Sequence, residues 1–150
     1  MNDGRQAPFA AYLGIDSSEE MLARAREKAR DDPRIELRIG DATDLRAVEG
    51  SFDFLVCTWL LSHLDAPQDT ARTALSKLAP DGTAAFVFFS QPAGTLWRGV
   101  LGRLGGPLRY RFVDVQAIRA LPGLERIQTC AGGMATLAVF TAPGEPGGPG

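Results

Sequence analysis

The sequence predicts an α/β fold: a doubly wound, mostly parallel sheet with helices on both faces and an antiparallel β-hairpin at its end. Three observations support this class. Strand-length apolar runs alternate with amphipathic helical segments along the chain, as in parallel sheets joined by helices. Several of those runs are almost continuously apolar, which is typical of strands buried on both faces. The last two runs, Leu124–Cys130 and Ala135–Thr141, lie so close together that only an antiparallel pairing joins them.

Composition and charge narrow the class of protein. The chain has 150 residues, 45% of them hydrophobic and 23% charged, which suits one soluble domain with a substantial core. A net charge of −2 gives no pull toward nucleic acid, and no apolar run reaches the ~18 residues of a membrane span. Cys57 and Cys130 lack the spacing of a disulfide framework, so we expect reduced thiols in a cytoplasmic protein. Because His63 is the single histidine, a His-rich metal site is excluded, and we expect no bound metal.

We expect one folded region between two irregular ends. Residues 1–10 are polar and small, which predicts a flexible lead-in. Residues 11–142 carry all the strand and helix patterns, without an internal repeat or a domain boundary. The tail, residues 143–150, is almost entirely Gly and Pro, a composition that predicts disorder.

The first predicted strand, residues 11–15, ends in a carboxylate, Asp16. In open α/β sheets ligands bind beyond the carboxyl ends of the strands, and an acid there commonly accepts hydrogen bonds from ribose hydroxyls. Asp16 is therefore a candidate ligand residue. A helix follows at once, with Ser17 and Glu20 at the spacing of a capping box, so a role for Asp16 as a helix cap alone is the alternative.

The second strand, Ile35–Ile39, alternates apolar and polar residues, which predicts one wet face and a position at a sheet edge. Asp41 follows it in a loop. A Gly-Asp pair in a loop often forms only a local turn, which is the alternative to ligand binding. Because Asp16 and Asp41 end successive strands, their joint placement favours the ligand interpretation.

The third strand, centred on residues 54–57, exits through Thr58 into a loop that carries His63. The imidazole pKa lies in the range useful for acid–base catalysis, so His63 is the one candidate for that role. The alternative is a partly buried histidine that is hydrogen-bonded to the backbone.

Further elements follow from turn and cap signals. Asp65 is predicted to cap the next helix, and residues 80–82 to form a tight turn before a central strand over residues 83–90. A short helix is predicted over residues 95–104, and Asp114 is predicted to cap another.

Four motifs in order resemble those of class I S-adenosylmethionine-dependent methyltransferases. Residues 14–22 (GIDSSEEML) look like the family's second motif, and residues 40–42 (GDA) are similar to its third-strand motif. Residues 52–58 (FDFLVCT) resemble its fourth strand, and residues 78–82 (LAPDG) resemble the turn before its fifth. The closing hairpin is also the family's ending. The resemblance implies a Rossmann-like fold, S-adenosylmethionine as cofactor, and methyl transfer to a small-molecule acceptor, as in quinone biosynthesis.

The resemblance also implies roles for individual residues. Asp16 would hold the ribose hydroxyls of the cofactor through charge-assisted hydrogen bonds. Asp41 would accept from the adenine amino group, and the Ala42 backbone N–H would meet the neighbouring ring nitrogen. Ser17 and Met21 would flank the adenosine.

The same resemblance places Thr58 near the methionine end of the cofactor. His63 would face the entry of the acceptor. Many methyl transfers need no strong base, because the methyl donor is already reactive and the enzyme chiefly aligns the two reactants.

The sequence departs from the family before Asp16. The family's first strand and its Gly-x-Gly-x-Gly turn are missing, since Gly4 and Gly14 are the only glycines in that window. We therefore expect residues 11–142 to form a partial, N-terminally truncated methyltransferase domain. Loss of a central strand would leave an exposed sheet edge, open to a dimer or to a partner chain.

Three accounts of this departure stay open. The chain is a truncated form of an active enzyme, a non-catalytic pseudo-methyltransferase or interaction module, or one half of a split enzyme. A remnant of a short-chain-type NAD(P) dehydrogenase is a further alternative. It is disfavoured because such enzymes need a Tyr-x-x-x-Lys pair, and Asp114 stands four residues after Tyr110.

Overall fold

A computed structural model describes residues 9–30, 32–90, 111–130 and 133–142. The elements, in chain order, are β1 (Tyr12–Asp16), α1 (Glu19–Ala29), β2 (Ile35–Ile39), β3 (Phe52–Thr58), α2 (Pro67–Leu75), β4 (Leu78–Phe89), α3 (Val115–Arg119), β5 (Leu124–Cys130) and β6 (Ala135–Thr141). Two short 3-10 helices, Leu45–Ala47 and Leu60–His63, precede β3 and α2. The chain divides into two compact units, residues 1–45 and 46–150. Residues 1–8 of the lead-in predicted over 1–10, the helix predicted over 95–104 and the tail predicted over 143–150 lie outside the described residues.

The first unit is a β-α-β arrangement with two parallel strands. The pairing of β1 with β2 runs in register from Tyr12 opposite Ile35 to Asp16 opposite Ile39. Helix α1 buries Leu22 and ends at Arg30, whose left-handed φ of 50° closes its last turn. A parallel pair joined by a helix is what the alternating sequence pattern predicts.

The start of α1 differs from the prediction. Ser18, not Ser17, is the N-cap, and its hydroxyl accepts a hydrogen bond from the Met21 N–H at 3.3 Å. The predicted capping box of Ser17 and Glu20 is therefore wrong. Glu20 instead accepts from the Arg24 guanidinium at 2.6 Å, one helical turn along an exposed face.

The second unit is a four-stranded sheet in the order β3-β4-β6-β5. Strand β4 pairs parallel to β3 and antiparallel to β6, and β6 pairs antiparallel to β5. Three of the four strands thus share one direction, and the closing hairpin of β5 and β6 is confirmed. The α/β fold class predicted from the sequence is confirmed with it.

Alternate residues of β4 and β6 form the core of the second unit. Phe86 and Phe88 of β4 and Phe140 of β6 are fully buried. The rings of Phe86 and Phe140 meet edge to face, with centroids 5.7 Å apart and planes 84° apart. Helix α2 contacts both β4 and α3, and α3 buries Ile118.

Strand β4 begins earlier than the turn signal at residues 80–82 predicts. Phe52 of β3 pairs with Leu78, whereas Phe54 pairs with Thr83, so the extra residues of β4 form an irregularity within the strand. Asp81 takes a φ of 61° there. A Cβ on Gly82 would lie 2.8 Å from the Phe52 carbonyl oxygen, so glycine is required. The turn residues bend the strand rather than precede it.

The two predicted helix caps of this unit have different outcomes. Asp114 caps α3 and accepts from the Gln116 N–H at 2.9 Å, as predicted. Asp65 does not cap α2, which begins at Pro67 without a side-chain cap. Asp65 forms an ion pair with Arg111 instead. Proline at the first helical position needs no cap for its own nitrogen, because that nitrogen carries no hydrogen.

Candidate functional site

The first unit brings two acids to the same edge of its sheet. Asp16 is the last residue of β1 and lies opposite Ile39, the last residue of β2. The Gly40 N–H donates to the Asp16 carbonyl oxygen at 3.0 Å, and Asp41 follows directly. Since the strands are parallel, the carboxyl ends of both lie together, as the sequence predicts.

The Asp16 carboxylate bonds locally through one oxygen. Its Oδ1 accepts from the Ser18 N–H at 2.8 Å, and the residue is half-buried. This bond supports the turn into α1, although Ser18 is the cap itself. Among the described residues, no hydrogen bond reaches Oδ2 of Asp16. At the strand end one carboxylate oxygen thus has no partner within residues 9–30, 32–90, 111–130 and 133–142.

Asp41 has a similar arrangement. Its Oδ1 accepts from the Thr43 N–H at 2.8 Å and from the Thr43 hydroxyl at 2.7 Å. These two bonds, the hydroxyl bond foremost, hold the pKa of the Asp41 carboxyl below its ordinary value. The carboxyl is therefore an exposed anion at neutral pH. Within the described part of the chain its Oδ2 makes no hydrogen bond.

The other predicted cofactor residues of this unit are near these acids in the chain. Met21 lies in the first turn of α1 with half of its surface exposed (50%). Ser17 is exposed, and Ala42 is half-buried beside Asp41. A Cβ on Gly40 would lie 3.2 Å from Ile15 Cγ2, so glycine lets this loop approach β1 closely. An apolar side chain and small residues thus lie close in the chain to the two carboxylates at this strand edge.

Thr58 belongs to the second unit, at the carboxyl end of β3. It is exposed and lies opposite Val87. The chain leaves β3 through Trp59, which takes a left-handed φ of 67° and donates its N–H to the Val87 carbonyl at 2.7 Å. The Trp59 ring lies 4.6 Å from the Phe89 ring, centroid to centroid. The exit from β3 is therefore fixed against the end of β4.

His63 ends the 3-10 helix that follows and is exposed. Ser62 beside it is fully buried. The Ser62 hydroxyl accepts from the Phe89 N–H at 2.8 Å, and its carbonyl accepts from the Arg111 N–H at 2.7 Å. The ion pair of Arg111 with Asp65 lies just beyond His63. These bonds fix the backbone that carries His63.

Sequence reasoning missed Ser62, Trp59 and Ser18 as the residues that hold the site's backbone. The available signal for Ser62 was a small hydroxyl directly after two leucines, since a buried serine needs a hydrogen-bond partner. For Ser18 the signal was two glutamates immediately after it, because acids favour the first turn of a helix.

Two further searches of the described residues bear on the site. Groups of three or more His, Cys, Asp or Glu side chains that could hold a metal ion do not occur among them. Helices long and apolar enough to cross a membrane are likewise absent from that part of the chain.

Comparison with known proteins identifies relatives of this chain. A family model described as a methyltransferase domain matches residues 3–86. The mitochondrial ubiquinone biosynthesis O-methyltransferase of Saccharomyces cerevisiae is 33% identical over 75 residues, 49% of this chain and 24% of that protein. The phosphatidylethanolamine N-methyltransferase of Cereibacter sphaeroides is 44% identical over 61 residues, 39% of this chain and 30% of that protein. The chain thus spans less than a third of these curated relatives.

Solved structures agree on the fold. The N-methyltransferase NodS of Bradyrhizobium japonicum, solved with S-adenosyl-L-homocysteine, superposes with a TM-score of 0.66 at 17% identity. The superposition covers 89% of this chain and 67% of NodS. The family model covers more than half of the chain, and the motif order, the strand order and the solved neighbours agree with it. The chain belongs to the class I S-adenosylmethionine-dependent methyltransferase family.

Proposed function

We propose that this protein takes part in S-adenosylmethionine-dependent methyl transfer to a small-molecule acceptor, and that residues 11–42 supply the adenosine half of the cofactor site. One observation carries the proposal. Asp16 and Asp41 lie at neighbouring strand ends, and each has an oxygen without a hydrogen-bond partner in the described part of the chain. Acceptors of this kind suit hydroxyl and amino donors.

The residues present fit the adenosine group. Asp16 would accept from the ribose hydroxyls, and Asp41 from the adenine amino group. Met21, which is half exposed, would cover a ring face, because its side chain is flexible and polarizable. Ser17 and the Ala42 backbone N–H would complete the contacts. When bound, the cofactor would supply an activated methyl group on a sulfonium.

The resemblance to the family assigns two further roles. Thr58 would lie near the methionine end of the cofactor, and His63 would hold or remove a proton on the acceptor. Ser62 would act as a positioning residue for His63, since its two hydrogen bonds fix that backbone.

The names of the relatives support an acceptor that is a small molecule. One is an O-methyltransferase of ubiquinone biosynthesis, and another methylates the nitrogen of phosphatidylethanolamine. Their acceptor atoms differ, so the proposal leaves the acceptor atom of this protein open.

Calorimetric titration with S-adenosylhomocysteine tests the cofactor site. Asp16→Asn keeps an oxygen for the Ser18 N–H but removes the charge, so we expect about 10- to 100-fold weaker binding, the equivalent of one charged hydrogen bond. The matched control is Asp114→Asn, whose carboxylate makes the same local bond two residues ahead at the start of α3. Equal affinity of the wild type and Asp16→Asn would refute the assignment.

Titration with adenosine as a second ligand tests whether residues 11–42 bind only the adenosine portion of the cofactor. The contacts proposed for Asp16, Asp41 and Met21 all meet the adenosine portion, so we expect adenosine and S-adenosylhomocysteine to bind residues 11–42 with similar affinity. Affinity for S-adenosylhomocysteine about 100-fold greater, some 2.7 kcal/mol, would show that this chain also binds the methionine portion. That outcome would contradict the proposal that residues 11–42 bind only the adenosine portion. It would still agree with S-adenosylmethionine as the cofactor.

A further inference from the structure

Arg111 contacts the loop that carries His63 on both sides of that residue. Its backbone N–H donates to the Ser62 carbonyl oxygen at 2.7 Å, directly before His63. Its guanidinium forms an ion pair with the carboxylate of Asp65, which follows His63 by two positions. Arg111 therefore holds both ends of the loop over residues 62–65.

The backbone around Arg111 is itself fixed to the end of β4. Val113 is buried, and its N–H donates to the Phe89 carbonyl oxygen at 2.8 Å. The Phe89 N–H in turn donates to the Ser62 hydroxyl at 2.8 Å. These bonds and the one from Arg111 to Ser62 close a ring through three parts of the second unit. The Arg111 side chain thus extends toward Asp65 from a backbone that is held in place.

The ion pair is the exposed part of this arrangement. The side chains of Arg111 and Asp65 are 66% and 86% exposed, and exposed pairs of this kind contribute little to global stability. Asp65 makes no capping bond to α2, so its carboxylate does not support that helix. The pair therefore restricts the loop around His63 rather than the fold.

We propose that Arg111 is a positioning residue for His63 and acts through the backbone of residues 62–65. A base transfers a proton only within hydrogen-bond reach of its partner, so a loop held at both ends keeps the imidazole in a narrower range of positions. The catalytic meaning of this role rests on the proposed function. The restriction of the loop does not, and it can be measured without acceptor or cofactor.

NMR relaxation and hydrogen exchange test the loop directly. Because His63 is the single histidine, its ring gives one signal in protein with labelled histidine. Arg111→Met keeps the backbone N–H and removes the charge. We expect a lower order parameter for the His63 ring and about two- to fivefold faster exchange of the Leu64 N–H, which donates to the Leu61 carbonyl oxygen.

Two further variants separate positioning from a general loss of charge. Arg111→Lys keeps the charge and should restore most of the order of the His63 ring. Arg72→Met is the matched control, because it removes a similarly exposed ion pair with Asp69 in α2, and it should change neither signal. The urea midpoint should be the same for all these variants, which shows that the loop loosens without unfolding of the second unit.

A double-mutant cycle with Asp65→Asn tests whether the ion pair carries the effect. Asp65→Asn alone should reproduce the change seen in Arg111→Met, and the double variant should add nothing, since both remove one interaction. High salt should produce the same change in the wild type by screening the pair.

An unchanged His63 ring and Leu64 exchange rate in Arg111→Met would overturn the positioning role, and so would an equal change in Arg72→Met. If the loop responds as expected but Asp16→Asn leaves the affinity for S-adenosylhomocysteine unchanged, the proposed cofactor site fails while the restriction of the loop by Arg111 stands.

Discussion

At the scale of single residues, Asp16 and Asp41 combine a structural and a proposed functional role. Each uses Oδ1 for a backbone N–H two residues ahead. The sequence presents the local turn and the ligand site as alternatives for these acids. In the described part of the chain the local bond occupies one oxygen of each acid and the other accepts no hydrogen bond, so the two roles are compatible. Because Asp16 is bonded by Ser18 and Asp41 by Thr43, the two acids can be tested by different substitutions.

Thr43 sets the protonation of Asp41. Thr43→Val removes the hydroxyl bond but keeps the backbone N–H, so we expect the Asp41 pKa to rise part of the way toward its ordinary value. A carboxyl with a lowered pKa stabilises the folded state above its unfolded pKa and loses that contribution as pH falls through the folded pKa. In the variant, the contribution of Asp41 to the free energy of unfolding should therefore be lost at a higher pH than in the wild type. An NMR titration of the Asp41 carboxyl measures this, with Thr73→Val as the control.

The two cysteines should differ in reactivity. Burial raises the pKa of the Cys57 thiol to about 11, whereas Cys130 is exposed. Because the thiolate is the nucleophile, iodoacetamide near neutral pH should label Cys130 well before Cys57. In urea the two rates should converge as burial is lost. Mass spectrometry of tryptic peptides follows both sites, and faster labelling of Cys57 in the folded protein would contradict the burial argument.

At the scale of elements, α1 depends on a cap that adjoins the proposed site. Ser18→Ala removes the hydroxyl that accepts from Met21, and we expect a loss of about 1 kcal/mol in the free energy of unfolding. Ser17→Ala, at the position that the sequence favours as the cap, should change it by much less. Urea denaturation of both variants decides between them. A larger loss for Ser17→Ala would mean that the cap is wrongly assigned.

Element types were predictable where the sequence is periodic, and element ends were not. The strands β2, β5 and β6 follow from apolar patterning and nearby turn residues. The cap of α1 was misplaced because Ser17 and Ser18 are adjacent, and only the bend after Asp16 decides which hydroxyl reaches the helix. The start of β4 was misplaced because its pairing with Phe52 is a tertiary contact that overrides the local turn signal.

At the scale of the whole molecule, the strands that the structure describes form two sheets, and the buried aromatic residues Phe86, Phe88 and Phe140 belong to the second unit. Phe86→Ala should destabilise that unit by about 3–5 kcal/mol, the usual cost of emptying a buried aromatic position. Trp59 lies in this unit, so tryptophan fluorescence in urea follows its unfolding. Phe112→Ala, at a partly exposed site, is the control and should cost much less.

Fold class and family could be inferred from the sequence because successive motifs carry them. The juxtaposition of Asp16 and Asp41 could also be inferred, since neighbouring strand ends in a parallel pair meet at one edge. The hydrogen bonds that fix the backbone at His63 could not be inferred from the sequence. They depend on Ser62 reaching Phe89 and Arg111, which are distant in the chain and adjacent only after folding.

The local bonds of Asp16 and Asp41 have a consequence for the thermodynamics of binding. A mobile side chain that a ligand immobilises costs about 0.5–1.5 kcal/mol of conformational entropy. Both carboxylates are already oriented by backbone N–H groups before any ligand arrives. Both carboxylates therefore lose this conformational entropy on folding rather than on binding. A ligand that bonds to them would lose less binding free energy to side-chain ordering.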